Sequence, residues 1–145
     1  KNNFLNSMFN DKNDVLDFSY RFIQGEKIEG TIIGGNIRCL LKLAGTKYFP
    51  DFTDKVIFLE SMGGDAGLMS ALLNQLKQIG VFDKVKGIIL GTFTKMQNDN
   101  ITPAIEDLVV KIIDNPTLPI AKTEEIGHGA NSKCLVIGKN ISIKK

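Results

Sequence analysis

The chain has few of the residues that usually bind metals or form disulfides. Its 145 residues include one histidine, two cysteines and no tryptophan. The cysteines, Cys39 and Cys134, are far apart and lack metal-ligand spacing, so neither a zinc site nor a disulfide framework is expected. Each cysteine is predicted to be a small buried hydrophobic residue in a reducing compartment. We therefore predict no metal and no cofactor.

Long apolar runs and basic clusters are also missing. No apolar stretch approaches the roughly 20 residues that cross a bilayer, and the polar start is unlike a signal peptide. The 18 basic and 16 acidic residues are mixed along the chain and give a net charge of +2. Nucleic-acid binding needs a clustered basic surface, which this pattern lacks. We expect neither a membrane nor a nucleic-acid partner.

The organisation of the chain indicates one folded domain. Residues 1–17 are polar and rich in asparagine, which predicts a linker or interdomain segment, and residues 18–145 are predicted to form the domain. The first residue is Lys1 rather than Met. These features suggest a segment cut from a longer chain.

The middle of the sequence alternates between strand and helix patterns. Continuous apolar runs predict buried strands over 55–60 and 85–93. A helix over 68–79 lies between them, with the stripe Leu68, Leu72, Leu76 and Ile79. This strand–helix–strand core predicts a mixed α/β domain.

Further elements flank this core. A helix over 36–44 is expected with Asn36 as its N-cap, and another over 103–113 with Thr102 as its N-cap. Short alternating runs predict two β-hairpins. The predicted hairpins pair 18–23 with 29–33, and 133–137 with 140–143.

Glu60 and His128 are the candidate catalytic residues. Glu60 ends a buried strand, where a carboxylate is costly unless it is paired. Ligands in open α/β sheets gather beyond the carboxyl ends of the strands. His128 lies between two glycines in a loop after another strand, and histidine exchanges protons near neutral pH. A glutamate that orients a histidine is the acid–base half of a catalytic triad.

A nucleophile for this pair is not apparent. None of the six serines lies in a Gly-x-Ser-x-Gly elbow or an equivalent strand-to-helix turn. Ser61 follows Glu60 directly, and successive side chains on a strand point to opposite faces. The chain therefore has the features expected of one half of an enzyme.

Six blocks in this sequence resemble the LD-carboxypeptidase family of serine peptidases, which includes murein tetrapeptide carboxypeptidases and microcin C self-immunity peptidases. The blocks are Gly30–Asn36, Leu43–Asp51, Lys55–Glu60, Gln75–Gly80, Val85–Phe93 and Gly127–Gly129. They occur in the family's order and cover most of the chain. The resemblance is to the C-terminal domain only.

This resemblance implies a fold and a mechanism. The family's C-terminal domain is a three-layer β/β/α unit of swivelling type with a mixed sheet. Glu60 and His128 match the Glu and His of a Ser-Glu-His triad that cleaves an L,D-peptide bond. The serine belongs to an N-terminal domain, so the isolated chain is expected to be inactive. The family also implies a cytoplasmic homodimer, with the missing N-terminal domain as a partner.

The substrate-binding region departs from the family pattern. Asn36 matches a family position near the site, and Gly63 and Gly64 are predicted to contact the peptide substrate. Relatives usually have acidic, aromatic and arginine residues after the Glu, whereas this chain has Met62 and a run of small residues. The choice between a murein tetrapeptide and a microcin-like peptide nucleotide therefore stays open.

Two other functions remain as alternatives. A non-catalytic peptide- or muropeptide-binding module would use Glu60 and His128 only as pocket residues. A swivelling phosphocarrier would carry a phosphoryl group on His128 in its glycine-rich loop. The phosphocarrier hypothesis predicts that no carboxylate lies within reach of the histidine ring.

Overall fold

A computed structural model describes residues 18–145. The predicted linker over residues 1–17 lies outside this range. The strands are β1 (Arg21–Gln24), β2 (Lys27–Asn36), β3 (Lys55–Ser61), β4 (Gly87–Phe93), β5 (Ile120–Lys122) and β6 (Asn140–Lys144). The helices are α1 (Ile37–Leu41), α2 (Ala66–Gln78), α3 (Thr94–Asn98) and α4 (Ile105–Ile113). Within the described range, no helix is long and apolar enough to span a bilayer.

The strands form one mixed sheet in the order β1-β5-β4-β3-β2-β6. The four central strands are parallel, and the two edge strands are antiparallel to their neighbours. All seven residues of β4 are buried, and so are six of the seven residues of β3. Burial on both faces explains the continuous apolar runs in these two strands.

Alternation along β3 sends side chains into two separate cores. Ile57 and Leu59 belong to a helix-side core with residues of α2 and α4. Val56 and Phe58 belong to a strand-side core on the opposite face. The strand-side core also contains residues of β2 and β6 and of the segment after β5: Ile28, Ile32, Ile126, Ile141 and Ile143.

The sheet curls around the strand-side core. The Tyr20 hydroxyl, just before β1, donates a hydrogen bond of 2.9 Å to the carbonyl of Lys144 in β6. These residues belong to opposite edges of the sheet, so the edges meet on one side. Two walls of curled sheet and one layer of helices make up the three layers. The predicted mixed α/β fold of β/β/α type is therefore confirmed.

Both predicted hairpins are wrong. β1 pairs with β5, whereas β2 pairs with β3 and β6. The glycine turn after β1 packs instead against Pro119, which lies 2.7 Å from the position of a Cβ at Gly25. Residues 133–137 are not a strand, and β6 completes the edge beside β2. Local turn signals were right, but long-range pairing with buried neighbours decided the partners.

The helix predictions need smaller corrections. The core face of α2 is Met69, Leu73 and Leu76, and Leu68 and Ile79 of the predicted stripe are exposed. The helix also begins earlier than predicted, with Asp65 as N-cap accepting the Leu68 N–H at 2.9 Å. α4 begins at Ile105 with Ala104, not Thr102, as its N-cap.

Two further predictions differ from the structure: the burial of the cysteines, and the number of helices. Cys39 and Cys134 are both exposed, contrary to the prediction that they are buried. α3 was not predicted, because its five residues show no amphipathic period long enough to recognise.

Gly34 is required where β2 and β3 approach each other. A Cβ there would lie 2.2 Å from the carbonyl oxygen of Phe58, and φ is +122°. Gly34→Ala should lower the free energy of unfolding by about 2 kcal/mol or more through overpacking and strain. Chemical denaturation measures this loss.

Gly35→Ala is the matched control. Gly35 also has a positive φ, +143°, but a Cβ there meets nothing within 4 Å. Its loss of stability should therefore be clearly smaller. Equal losses at the two glycines would show that close packing against β3 is not the cause.

Candidate active site

The candidate site lies at the carboxyl ends of the parallel strands. Asn36 is the last residue of β2 and is the register partner of Glu60 in β3. By strand alternation, Glu60 belongs to the same face as Val56 and Phe58, the strand-side core. This face is also where Ile126 packs, two residues before His128.

Glu60 and His128 are brought together. His128 Nδ1 lies 2.6 Å from Glu60 Oε2, and the side chains are 38% and 8% exposed, respectively. The two atoms are in close contact, although Oε2 has no hydrogen-bond partner of regular geometry among the described residues. A nearly buried carboxylate needs a compensating group. His128 provides it and keeps its other ring nitrogen, Nε2, free of this contact.

Strand β4 holds the loop that carries His128 through the side chain and the backbone of Thr92. Thr92 Oγ1 accepts the backbone N–H of His128 at 3.2 Å, and the N–H of Thr92 donates to Ile126 O at 2.8 Å. Gly127 has φ +145°, and a Cβ there would lie 1.9 Å from Thr92 Oγ1. The glycine before His128 is therefore required for this close approach.

Glu125 anchors the same loop from its other side. Its Oε2 lies 2.8 Å from Lys133 Nζ and accepts the Ser19 N–H at 2.7 Å. The hydrogen bond from Lys133, followed by that from Ser19, holds the pKa of Glu125 below its usual value. Sequence analysis missed this anchor because its members are far apart in the chain.

A buried lysine forms a second network beside the loop. Lys122 is 1% exposed, and its Nζ lies 2.7 Å from Glu124 Oε1. Gln97 of α3 donates to the same carboxylate and accepts the N–H of Phe93 at 2.8 Å. Partial burial works to raise the pKa of Glu124, but hydrogen bonds from Lys122 and Gln97 outweigh it and lower the pKa. This network joins α3 to the end of β5.

Asn36 has a local role that accounts for its position. Its Oδ1 accepts the N–H groups of Arg38 and Cys39 at 3.1 and 3.2 Å and so caps α1. The predicted N-cap is confirmed, although α1 ends at Leu41.

Gly63 and Gly64 lie in the loop between β3 and α2, shortly after Glu60. The carbonyl of Gly63 accepts the Ser61 hydroxyl at 2.7 Å. Gly64 has φ +109°, and a Cβ there would lie 2.5 Å from Met69 Cε. These contacts explain the shape of the loop, and the assignment of both glycines to substrate binding stays a prediction.

Two surface clefts lie away from the pair. One of about 630 Å³ is at the amino end of the parallel strands, and its lining includes Lys27 and Lys86. The other, of about 300 Å³, lies between α3 and α4. Neither is lined by Glu60 or His128. In the described part of the chain, no group of three or more His, Cys, Asp or Glu residues could hold a metal ion.

The chemistry available at the carboxyl edge is proton transfer. A histidine held by a carboxylate can accept a proton through its second nitrogen and return it. Ser61 and Ser132 are poor nucleophiles, because the Ser61 hydroxyl donates to a carbonyl and Ser132 Oγ is buried. The fold and site thus define an α/β domain that carries a carboxylate–histidine pair at the carboxyl edge of its sheet.

Comparison with known families identifies the domain. Residues 29–143 match the family described as LD-carboxypeptidase C-terminal domain, and the chain belongs to this family. The matched range includes Glu60 and His128.

Curated relatives are carboxypeptidases and an immunity protein. The putative carboxypeptidase YocD of Bacillus subtilis is 32% identical over 127 residues, which cover 84% of this chain and 38% of YocD. The Microcin C7 self-immunity protein MccF of Escherichia coli is 25% identical over 123 residues, covering 84% of this chain and 36% of MccF. The chain therefore spans less than two fifths of the length of these relatives.

Solved structures share the fold. MccF superposes with a TM-score of 0.72 at 25% identity, covering 88% of this chain and 41% of MccF. MccF has been solved in complex with aspartyl sulfamoyl adenosine. A muramoyltetrapeptide carboxypeptidase from Oxalobacter formigenes gives a TM-score of 0.77 at 22% identity, covering 99% of this chain and 50% of that chain.

Substitutions at Asn36 test its role as the N-cap of α1. Asn36→Ala should cost about 1 kcal/mol of stability, because two N–H groups of α1 lose their acceptor. Asn36→Ser keeps a capping oxygen and should retain nearly all the stability. Thermal or chemical denaturation measures both. A serine variant as unstable as the alanine variant would contradict the capping role.

Acid should release the anchor at Glu125. Because the pKa of Glu125 is lowered in the fold, its stabilisation is present above the usual value of 4.5 and is lost as the pH falls through the lower folded pKa. Amide hydrogen exchange around His128 should therefore accelerate, relative to intrinsic rates, below about pH 4.5.

The variant Glu125→Gln should show this faster exchange already at neutral pH. Glu29→Gln is the control, because Glu29 also has a pKa lowered by a lysine, Lys27, but lies at the far end of the sheet. Exchange around His128 that is unaffected by Glu125→Gln would contradict the anchoring role.

Proposed function

We propose that this chain supplies the Glu and His of a Ser-Glu-His triad in a serine carboxypeptidase that hydrolyses L,D-peptide bonds. The observation that carries the proposal is the 2.6 Å contact between His128 Nδ1 and Glu60 Oε2. It occurs at the carboxyl edge of the parallel strands, in a member of the LD-carboxypeptidase C-terminal domain family. The family assignment and the pair's geometry support the same chemistry.

In the proposed mechanism, His128 acts first as a base and then as an acid. Its Nε2 takes the proton of the attacking serine and later delivers it to the leaving amine. Glu60 keeps the proton of the neutral ring on Nδ1 and offsets the charge of the imidazolium that forms. The nearly buried position of Glu60 strengthens this interaction, because little water screens it.

The serine and the oxyanion donors are proposed to come from another domain. The curated relatives are more than twice as long as their matches to this chain, which leaves room for such a domain. On this proposal the 145-residue chain has no activity by itself. The complete protein, meaning this chain joined to its nucleophile domain, is the active form.

The proposed substrate is a small peptide with an L,D-bond. The name of one relative, a probable murein peptide carboxypeptidase, supports a murein peptide. The complex of MccF with aspartyl sulfamoyl adenosine supports a peptide nucleotide. Asn36, Gly63 and Gly64 are proposed to line the substrate site beside the pair. The cytoplasmic location and the homodimer implied by the family stay predictions.

The contact between Glu60 and His128 argues against one of the two alternatives and is compatible with the other. A phosphocarrier requires a ring without a neighbouring carboxylate, and Glu60 lies against the His128 ring. This observation argues against that alternative. A peptide-binding module makes the same contacts but requires no serine nucleophile in the complete protein.

Hydrolysis of L,D-tetrapeptides and peptide nucleotides by the complete protein tests the proposal. His128→Ala and Glu60→Gln should each lower kcat by on the order of 10³- to 10⁴-fold, because the serine loses its base or the base loses its orientation. Chromatography of the released terminal amino acid or amine measures the rate of hydrolysis.

Glu29→Gln is the matched control for Glu60→Gln. Glu29 is an exposed glutamate on β2, paired with Lys27 at the opposite end of the sheet, and its variant should keep full activity. Full activity of His128→Ala would sink the proposal, and binding without turnover by the unmodified protein would favour the binding module.

A further inference from the structure

The pairing of β3 with β4 contains an irregularity opposite Glu60. Leu59 pairs with Leu90, but Ser61 pairs with Phe93, so β4 has one more residue than β3 across this step. An extra residue in one strand is a β-bulge, which bends the strand and turns a side chain away from its regular direction. The extra residue lies within Gly91-Thr92.

The bulge changes where the side chains of β4 go. Leu90 and Phe93 both belong to the helix-side core, although residues three apart on a regular strand would face opposite sides. Thr92, which regular alternation would place with Leu90, instead meets the loop of His128. Its Oγ1 accepts the backbone N–H of His128 at 3.2 Å.

Several contacts fix the position of Thr92 against the loop that carries His128. Thr92 is 8% exposed, and its own N–H donates to Ile126 O at 2.8 Å. Thr94 Oγ1 donates to the Thr92 hydroxyl at 3.3 Å. A Cβ at Gly91 would lie 2.5 Å from Ile126 O, and one at Gly127 would lie 1.9 Å from Thr92 Oγ1. Glycines on both sides thus allow the two backbones to touch.

We propose that Thr92, turned by the bulge of β4, is a positioning residue for the general base His128. This inference rests on the proposed function. Thr92 fixes the backbone of residues 126 and 128 through one donor and one acceptor. The carboxylate that must meet the ring is on β3, directly opposite the bulge. One local feature therefore sets the distance between the base and Glu60 through the backbone of the loop.

The first test measures the contact in the 145-residue chain. Thr92→Val and the smaller Thr92→Ala remove the acceptor of the His128 N–H, and amide exchange at His128 should become about fivefold faster or more. Thr92→Ser keeps the hydroxyl and should retain the slow exchange. Thr31→Val is the control, because Thr31 donates to Asn140 of β6 from the middle of β2, five residues before Asn36.

The second test measures turnover of L,D-peptides by the complete protein. Thr92→Val and Thr92→Ala should lower kcat by on the order of 10- to 100-fold with little change in KM, because the base is misplaced while the substrate still binds. Thr92→Ser should restore kcat, and Thr31→Val should leave it unchanged.

The outcomes separate this inference from the proposed function. Unchanged exchange at His128 in both Thr92→Val and Thr92→Ala, or equal loss of kcat in Thr92→Ser and Thr92→Val, overturns the positioning role. Full activity of His128→Ala overturns the triad itself, whatever the exchange data show. If Thr92→Val does not fold, the comparison of Thr92→Ala with Thr92→Ser tests the positioning role of Thr92.

Discussion

A nearly buried carboxylate at the end of β3 is the constraint on which the candidate site depends. Glu60 lies beside the strand-side core, where an unpaired negative charge would be expensive. The ring of His128 compensates it at 2.6 Å. The pairing also leaves one ring nitrogen of His128 for chemistry. The same contact thus serves both the stability of the fold and the proposed catalysis.

The surrounding structure holds the histidine at that carboxylate. β4 bulges opposite Glu60, and Thr92 and the glycines at 91 and 127 let the loop approach the strand. Glu125 ties the loop to Lys133 and to Ser19 before β1. These contacts restrain a residue that lies on an exposed loop. Such restraint is what a base needs to act on a serine from another domain.

Sequence patterns predicted the parts of this arrangement that depend on local chemistry. The strand ending at Glu60, the Asn36 cap and the glycines around His128 each follow from a local pattern of burial, capping or backbone freedom. The hairpins failed because strand partners are chosen by long-range packing. The bulge at Thr92 was not predicted, although a glycine within a strand pattern, here Gly91, is a signal for one. The anchors of the loop, such as Glu125 with Ser19, join residues 106 positions apart.

In the proposed mechanism, Glu60 fixes the proton of the neutral His128 ring on Nδ1 and leaves Nε2 as the base. His128 is the only histidine of the chain, so ring ¹⁵N NMR of the 145-residue protein reports on it alone. With the imidazole neutral, we expect a protonated Nδ1 and a bare Nε2. This preference should be lost in Glu60→Gln. A ring protonated at Nε2 in the unmodified chain, or a spectrum unaffected by Glu60→Gln, would contradict it.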